Sequence, residues 1–214
     1  LFAFKNERLF GYEPLKEGEA RRGTVGIPRA LNMYEDYPFW FTFFTSLGFR
    51  VVLSDPSTKK TYEAGIESMP SESVCYPAKL SHGHVMNLIG KGVDFIWMPS
   101  VRWERKEDET AGNCYNCPIV MSYPTALKLN VDELEQQKVE FMNDFVPYHD
   151  VKELKRRLFE LVDAKRWDDA QKGYGRFTGT RLTKAEVEEA VDEAWAESER
   201  FKADMHRAGE EALE

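Results

Sequence analysis

Cysteine is scarce in this sequence, with three among 214 residues. An odd and small number of cysteines excludes a disulfide framework, and a chain of this length can bury a core without such staples. No apolar run approaches the roughly 20 residues of a membrane span. The first residues alternate apolar with charged side chains, unlike a secretory signal peptide. These absences predict a reducing, cytoplasmic setting and no membrane.

Basic residues are fewer than acidic ones, and the common nucleotide-binding motifs are absent. The 29 Lys and Arg residues are outnumbered by 37 Asp and Glu, which gives a formal charge of −8. Nucleic-acid binding needs a basic face, so nucleic acid is not an expected partner. The sequence has no GxGxxG, no GxxxxGK[ST] and no GxSxG motif. No known nucleotide-binding or serine-hydrolase motif therefore points to a function.

Short apolar segments alternate with segments of helical periodicity. The predicted strands are residues 24–27, 49–53, 93–98, 118–121 and 139–145, and the predicted helices between them are 36–47, 61–66, 75–89 and 123–129. Residues 1–12 are predicted to form a hairpin. Strands of this length that alternate with helices are typical of a parallel α/β sheet. In such a sheet, ligands bind beyond the carboxyl ends of the strands.

The last third of the chain is predicted to be helical. Residues 150–162 are amphipathic and begin with a capping box at Asp150 and Glu153, and residues 163–180 are predicted to form a glycine-containing loop. A second capping box, Thr183-x-x-Glu186, predicts the start of a helix of about 30 residues, roughly 45 Å long. The apolar stripe of that helix would either pack on its own domain or bind a partner. We therefore predict an α/β domain at 1–149 and a helical segment at 150–214. The start without Met and the helical pattern at the end predict a piece of a longer protein.

The three cysteines lie in two short stretches. Cys75 precedes a predicted helix with Pro77 in its first turn, where the positive end of the helix dipole favours a thiolate. Cys114-x-x-Cys117 has a spacing that lets two thiolates reach one metal centre. Together the three sulfurs would suffice for a 4Fe–4S cluster with one open iron. The alternative is that they are ordinary buried thiols, which behave as small hydrophobic groups.

Other residues compete for roles around these cysteines. His82 and His84 would suit zinc together with the thiols, but a helix separates them by about 200°, so at most one could join a metal site. We take His84 as the candidate ligand. A thiol enzyme with Cys75 as nucleophile and either histidine as base stays open. Arg29, after the first strand, and Lys79 are candidate anion contacts.

Four segments carry a resemblance to a known family: RRGTVGIPRALNMYEDYPFWFTFFTSLGFRVVLS, SESVCYPAKLSHGH, GVDFIWMPS and NCPIVMSYP. Together they resemble the 2-hydroxyacyl-CoA dehydratase activase-related proteins, in the domain of unknown function that follows the ATP-binding activase modules. The resemblance implies a Rossmann-like α/β fold and a 4Fe–4S cluster held by three cysteines. Cys75 and Cys117 match the family's cysteine motifs, whereas Cys114 matches less closely. A further ligand could come from outside this sequence.

The same resemblance implies a function in anaerobic organisms. The activase modules of the family use ATP to drive a low-potential electron into 2-hydroxyacyl-CoA dehydratases. The implied partners are those modules and acyl-CoA, and this chain alone would be inactive because the ATP-binding modules are not in it. Two alternatives remain: a cofactor-free scaffold that docks the activase modules through the long helix, and a zinc-stabilised domain.

Overall fold

A computed structural model describes residues 1–162 and 182–213. Within these residues the helices are α1 (Phe2–Phe10), α2 (Tyr37–Ser46), α3 (Lys59–Gly65), α4 (Tyr76–Gly90), α5 (Pro118–Asn130), α6 (Glu133–Gln136), α7 (Val151–Val162) and α8 (Lys184–Glu211). The strands are β1 (Thr24–Ile27), β2 (Arg50–Leu53), β3 (Phe95–Trp97), β4 (Ser100–Val101), β5 (Glu140–Met142) and β6 (Phe145–Val146). Two 3₁₀ turns span Leu31–Tyr34 and Ile66–Ser68.

The main sheet has four parallel strands in the order β2-β1-β3-β5. A second parallel pair, β4-β6, continues β3 and β5, with the Ser100 amide donating to the Asp144 carbonyl at 2.9 Å. The predicted parallel α/β fold with a long final helix is therefore confirmed. The chain passes from β1 to β2 on one side and then returns to place β3 on the other side of β1. The order thus reverses between β1 and β3, where doubly wound sheets bind their ligands.

Aromatic side chains of α2 fill the core above the sheet. Four of them are at most 1% exposed: Phe39, Trp40, Phe43 and Phe44. The ring centroids of Trp40 and Trp97 on β3 lie 5.0 Å apart in an edge-to-face arrangement, which favours aromatic pairs beyond the area they bury. The helical spacing that predicted α2 therefore marks the face that covers the sheet.

The long helix α8 packs on α2 and α7. Its Trp195 ring lies 5.1 Å from the rings of both Phe39 and Tyr148. The apolar stripe is buried from Val187 to Phe201. Packing within the chain, one of the two interpretations of this stripe, is confirmed for that part of the helix.

Two predicted elements are wrong. The predicted hairpin at 1–12 is instead helix α1 over Phe2–Phe10, because an isolated hairpin buries little, whereas the helix buries Leu9 completely. Residues 118–121 open helix α5 and are not a strand. Pro118 suits the first turn of a helix, and Val120, Tyr123 and Leu127 are buried at helical spacing.

The remaining predictions have mixed outcomes. The first three strands and the helices near 36–47, 61–66, 75–89 and 150–162 are confirmed, and the predicted strand at 139–145 divides into β5 and β6. The capping box at Thr183 and Glu186 is present. The predicted loop at 163–180 lies outside the described residues. None of the described helices is both long and apolar enough to cross a bilayer.

Helix α1 is held on α8 by a charged cluster. Arg8 donates to Glu197 Oε1 at 2.7 Å and to Asp204 Oδ2 at 2.8 Å, and the Tyr12 hydroxyl donates to the same Glu197 oxygen at 2.6 Å. Burial by itself would raise the pKa of Glu197, but these donors lower it below its ordinary value. The Arg8 and Glu197 side chains are only 23% and 12% exposed, so their ion pair is poorly solvated.

We expect Arg8→Met to lower the free energy of unfolding by about 2 kcal/mol, because it removes the partly buried cation shared by Glu197 and Asp204. These carboxylates would keep only their more exposed arginine partners on α8. The matched control is Arg156→Met on α7, where the exposed pairs with Glu153 and Glu160 should contribute less than about 0.5 kcal/mol. Urea unfolding of both variants measures the difference. Equal losses would contradict a stabilising role for the Arg8 cluster.

Candidate thiol site at two helix N-termini

Cys75 and Cys117 occupy equivalent positions in the fold. Each is the N-cap residue of a helix, Cys75 of α4 and Cys117 of α5, and each helix has a proline in its first turn. Neither side chain caps its own helix, and both residues are exposed. Both thiols therefore stand at the positive end of a helix, with their sulfur atoms free for other bonds.

The two helices begin at the same edge of the sheet. Each leads from the carboxyl end of one parallel strand back toward the amino end of another, so both start at the carboxyl edge. They contact each other where His82 Nε2 and the Tyr123 hydroxyl lie 2.9 Å apart. Because these residues follow the cysteines by seven and six positions, the thiols lie about 10 Å above this contact on adjacent helices.

Cys114 is held differently, by the loop before α5. It is half-buried, and its carbonyl accepts a hydrogen bond from the Glu104 amide at 2.9 Å. An isolated antiparallel bridge joins Trp103 to Tyr115 beside it. The backbone at Cys114 is thus fixed by loop pairing, while Cys75 and Cys117 are fixed by helices.

In the part of the chain that the structure describes, no group of three or more His, Cys, Asp or Glu side chains is arranged to hold a metal ion. The three cysteines are therefore not assembled as a complete ligand set in this conformation. Cys75 and Cys117 are exposed at one edge of the sheet, and Cys114, three residues before Cys117, is half-buried. A metal centre held by Cys75 and Cys117 would therefore need at least one further ligand that is not assembled with them among the described residues.

His84, the candidate ligand, is buried between two serines. Its Nδ1 lies 2.9 Å from Ser54 Oγ and its Nε2 lies 2.9 Å from Ser57 Oγ. Burial, aided by the charge of Arg29, lowers the pKa of His84 to about 4. Metal binding by His84 would require one of these hydrogen bonds to break.

His82 is buried in a similar network. Its Nδ1 lies 2.7 Å from Ser68 Oγ, and its Nε2 faces Tyr123 as described above. Burial lowers the pKa of His82 to about 4. Burial, followed by the charge of Cys75, raises the pKa of Tyr123. Both rings are hydrogen-bonded on both nitrogens, so either histidine would have to break one of these bonds to act as a base to Cys75. That role stays a prediction.

The two candidate anion contacts, Arg29 and Lys79, differ in how many interactions they make with other side chains. The Arg29 guanidinium lies 3.7 Å above the Phe10 ring and donates to Asn6 Oδ1 at 3.0 Å, so it is tied to α1. Lys79 is one turn after Cys75 on α4, and it makes no ion pair among the described residues. Anion binding stays a prediction for both residues, and Lys79 is the less engaged of the two.

The structure also brings together residues that the sequence did not indicate. A cavity of about 720 Å³ is lined by Asp36, Glu104 and Tyr148, which follow β1, β4 and β6. Burial, then the charge of Glu104, raises the pKa of Asp36 well above its ordinary value. Burial also raises the pKa of Glu104, against a hydrogen bond from Asn116. No signal in the sequence pointed to this grouping, because a 3₁₀ turn separates Asp36 from β1 and the strand β4 before Glu104 was not predicted.

The fold and these positions define a class: a parallel α/β domain with exposed thiols at the carboxyl edge of its sheet. Comparison with known protein families gives a match over residues 24–214 to the family described as CoA enzyme activase uncharacterised domain. The chain belongs to that family, as its resemblance to activase-related proteins predicted. No curated protein and no solved structure matches the sequence.

Proposed function

We propose that this domain supplies Cys75 and Cys117 as ligands to a 4Fe–4S cluster in a CoA enzyme activase system. The observation that carries the proposal is that both thiols are exposed, uncommitted N-cap residues of adjacent helices that begin at one sheet edge. Cys114, or a thiol from another segment or chain, would supply a third ligand. A bound cluster would transfer low-potential electrons or present an open iron to substrate.

The protein's own residues would prepare this edge in two ways. The N-cap positions of α4 and α5 leave both sulfur atoms exposed, so that iron can reach them. Lys79, one turn after Cys75, adds a positive charge that would partly balance the anionic cluster. The exposed edge leaves room for a partner to approach. That partner would be an ATP-binding activase module, with acyl-CoA as the candidate substrate.

Anaerobic reconstitution with ferrous iron and sulfide tests the proposal. We expect a broad absorption band at about 400 nm, with iron and sulfide retained after gel filtration. The double variant Cys75→Ser, Cys117→Ser should lose the band, because serine is a poor ligand for the soft iron of a cluster. A band of unchanged intensity in that variant would overturn the assignment.

Two further measurements separate the alternatives. Cys114→Ser should lower the iron content if Cys114 is the third ligand and leave it unchanged if the ligand comes from elsewhere. Elemental analysis of anaerobically purified protein distinguishes iron from zinc. Zinc bound stoichiometrically, without sulfide, would favour the zinc-stabilised alternative.

The scaffold alternative would need a surface of α8 other than its apolar stripe, which includes Phe201 and Met205. Phe201 is 5% exposed and Met205 packs against the core, so charged residues at these positions would disrupt folding before they disrupted docking. Binding of activase modules to a thiol-free variant would support a scaffold role through another face.

A further inference from the structure

The cavity lies at the place where this topology is expected to bind a ligand. Asn32 and Asp36 come from the connection after β1, and Glu104 comes from the loop after β4, which continues β3. The strand order reverses between β1 and β3, and doubly wound sheets bind ligands in the crevice at that point. The volume of about 720 Å³ falls within the usual range for small-molecule sites.

Asp36 points into the molecule and does not cap its helix. It is the N-cap residue of α2, a position where an aspartate commonly accepts a bond from the helix backbone, yet it makes no such bond. Its Oδ2 instead accepts from Asn32 Nδ2 at 3.0 Å, and Tyr148 is a second hydrogen-bond partner. Asp36 is only 9% exposed, so its carboxyl group has little access to bulk water. We call the part of the cavity lining formed by Asp36 and Glu104 its floor.

The two carboxyl groups of the floor have no cationic partner among the described residues. Among the described residues, neither Asp36 nor Glu104 forms an ion pair. Three of the four Lys and Arg side chains in the lining are paired with other acids: Lys5 with Glu35 at 2.8 Å, Lys202 with Glu107 at 2.7 Å, and Arg105 with Glu199. The fourth, Lys106, donates to the Glu109 carbonyl at 2.7 Å. Lys202 is near enough to influence both floor carboxyls, but its ammonium group contacts Glu107.

One part of the lining is apolar or aromatic, among side chains that are otherwise mostly polar or charged. Val120, Phe201 and Met205 form hydrophobic parts of the wall, and Tyr115 and Tyr148 contribute rings. Ring faces attract cations, and aliphatic walls accept a short hydrocarbon body. The cavity therefore combines an acidic floor that lacks a cation with walls suited to an apolar chain.

We propose that this cavity binds a small organic cation, with an ammonium group between Asp36 and Glu104 and a short hydrocarbon body against Phe201 and Met205. An ammonium group supplies the charge-assisted donors that the two carboxyl groups lack within the described residues. Val120 and Phe201 exclude water from the bound hydrocarbon. Cys75 and Cys117 do not line this cavity, whereas Cys114, the candidate third cluster ligand, lies in its wall.

The test uses butylammonium as probe and 1-butanol as its uncharged counterpart, at constant ionic strength. In NMR titrations of the whole chain, we expect butylammonium to shift the signals of cavity residues saturably and to bind at least about tenfold more tightly than the alcohol. Asp36→Asn, which keeps the shape and loses the charge, should weaken butylammonium binding at least about tenfold. Equal binding of the alcohol, or unchanged binding by Asp36→Asn, would overturn the proposal.

Two controls complete the experiment. Glu63→Gln removes an exposed carboxylate of α3 that does not line the cavity, and it should leave binding unchanged. If Asp36→Asn proves unfolded, Glu104→Gln provides the second charge-removing variant with the same expected loss. Cys75→Ser with Cys117→Ser should bind butylammonium normally, so failure of the cluster proposal and failure of this one are distinguishable.

Discussion

Gly83→Ala should destabilise the protein by at least about 3 kcal/mol. A Cβ atom at position 83 would lie 1.6 Å from the carbonyl oxygen of Thr61, where α3 crosses α4. The obstacle is backbone, so no side-chain rotation can relieve the overlap and the two helices must separate. Because α4 carries Cys75 at its N-terminus, the same variant should also perturb the thiol edge.

The matched control is Gly90→Ala in the same helix. A Cβ atom there meets nothing within 4 Å, and alanine in a helix is favoured over glycine by roughly 0.5–1 kcal/mol. Urea unfolding should therefore show a large fall in midpoint for Gly83→Ala and a small rise for Gly90→Ala. A loss below about 1 kcal/mol at position 83 would mean that the α3–α4 contact is looser than described.

The second large effect is a loss of stability in mild acid, caused by His82 and His84. Both histidines have a folded pKa of about 4, below the ordinary value of 6.5. Between these values the unfolded chain binds more protons than the folded one, so stability is full above about pH 6.5 and falls as the pH drops toward 4. At 1.36 kcal/mol per pKa unit, the difference between 6.5 and about 4 corresponds to roughly 3 kcal/mol from each ring.

Variants isolate the contribution of the histidines. Carboxylates with lowered pKa, such as Asp55 beside Lys91, also lose stabilising interactions in acid, but they do so equally in every variant that retains them. We expect His82→Gln to reduce the stability difference between pH 7 and pH 4.5, whereas His206→Gln, at an exposed position, should not. Parallel pH profiles for wild type and His82→Gln would contradict the assignment.

The two cysteine helices show where local pattern sufficed and where it did not. Pro77 after Cys75 predicted a helix start, and the structure has one there. Pro118 after Cys117 carried the same information, but the β-branched Ile119 and Val120 favoured a strand. The strand prediction failed because a helix buries Val120, Tyr123 and Leu127 against the rest of the domain. The free energy of this tertiary packing is not part of local propensity.

His82 and His84 illustrate a limit of spacing arguments. Helical geometry correctly places them on different sides of α4, since His84 faces Ser54 and Ser57 while His82 faces Ser68 and Tyr123. It could not show that both rings are buried and hydrogen-bonded. Those partners come from other elements, and their positions depend on how the helices pack.

The sequence by itself determined the parallel α/β class, the helix behind Cys75, the capping box of the last helix and the family. Each of these depends on neighbours a few residues apart, or on motifs that keep their order along the chain. Only the tertiary structure decided that Cys117 begins a helix beside that of Cys75, and that Asp36, Glu104 and Tyr148 line one cavity. Such meetings are set by long-range burial, because residues from separate loops approach one another only when the whole sheet and its helices pack together.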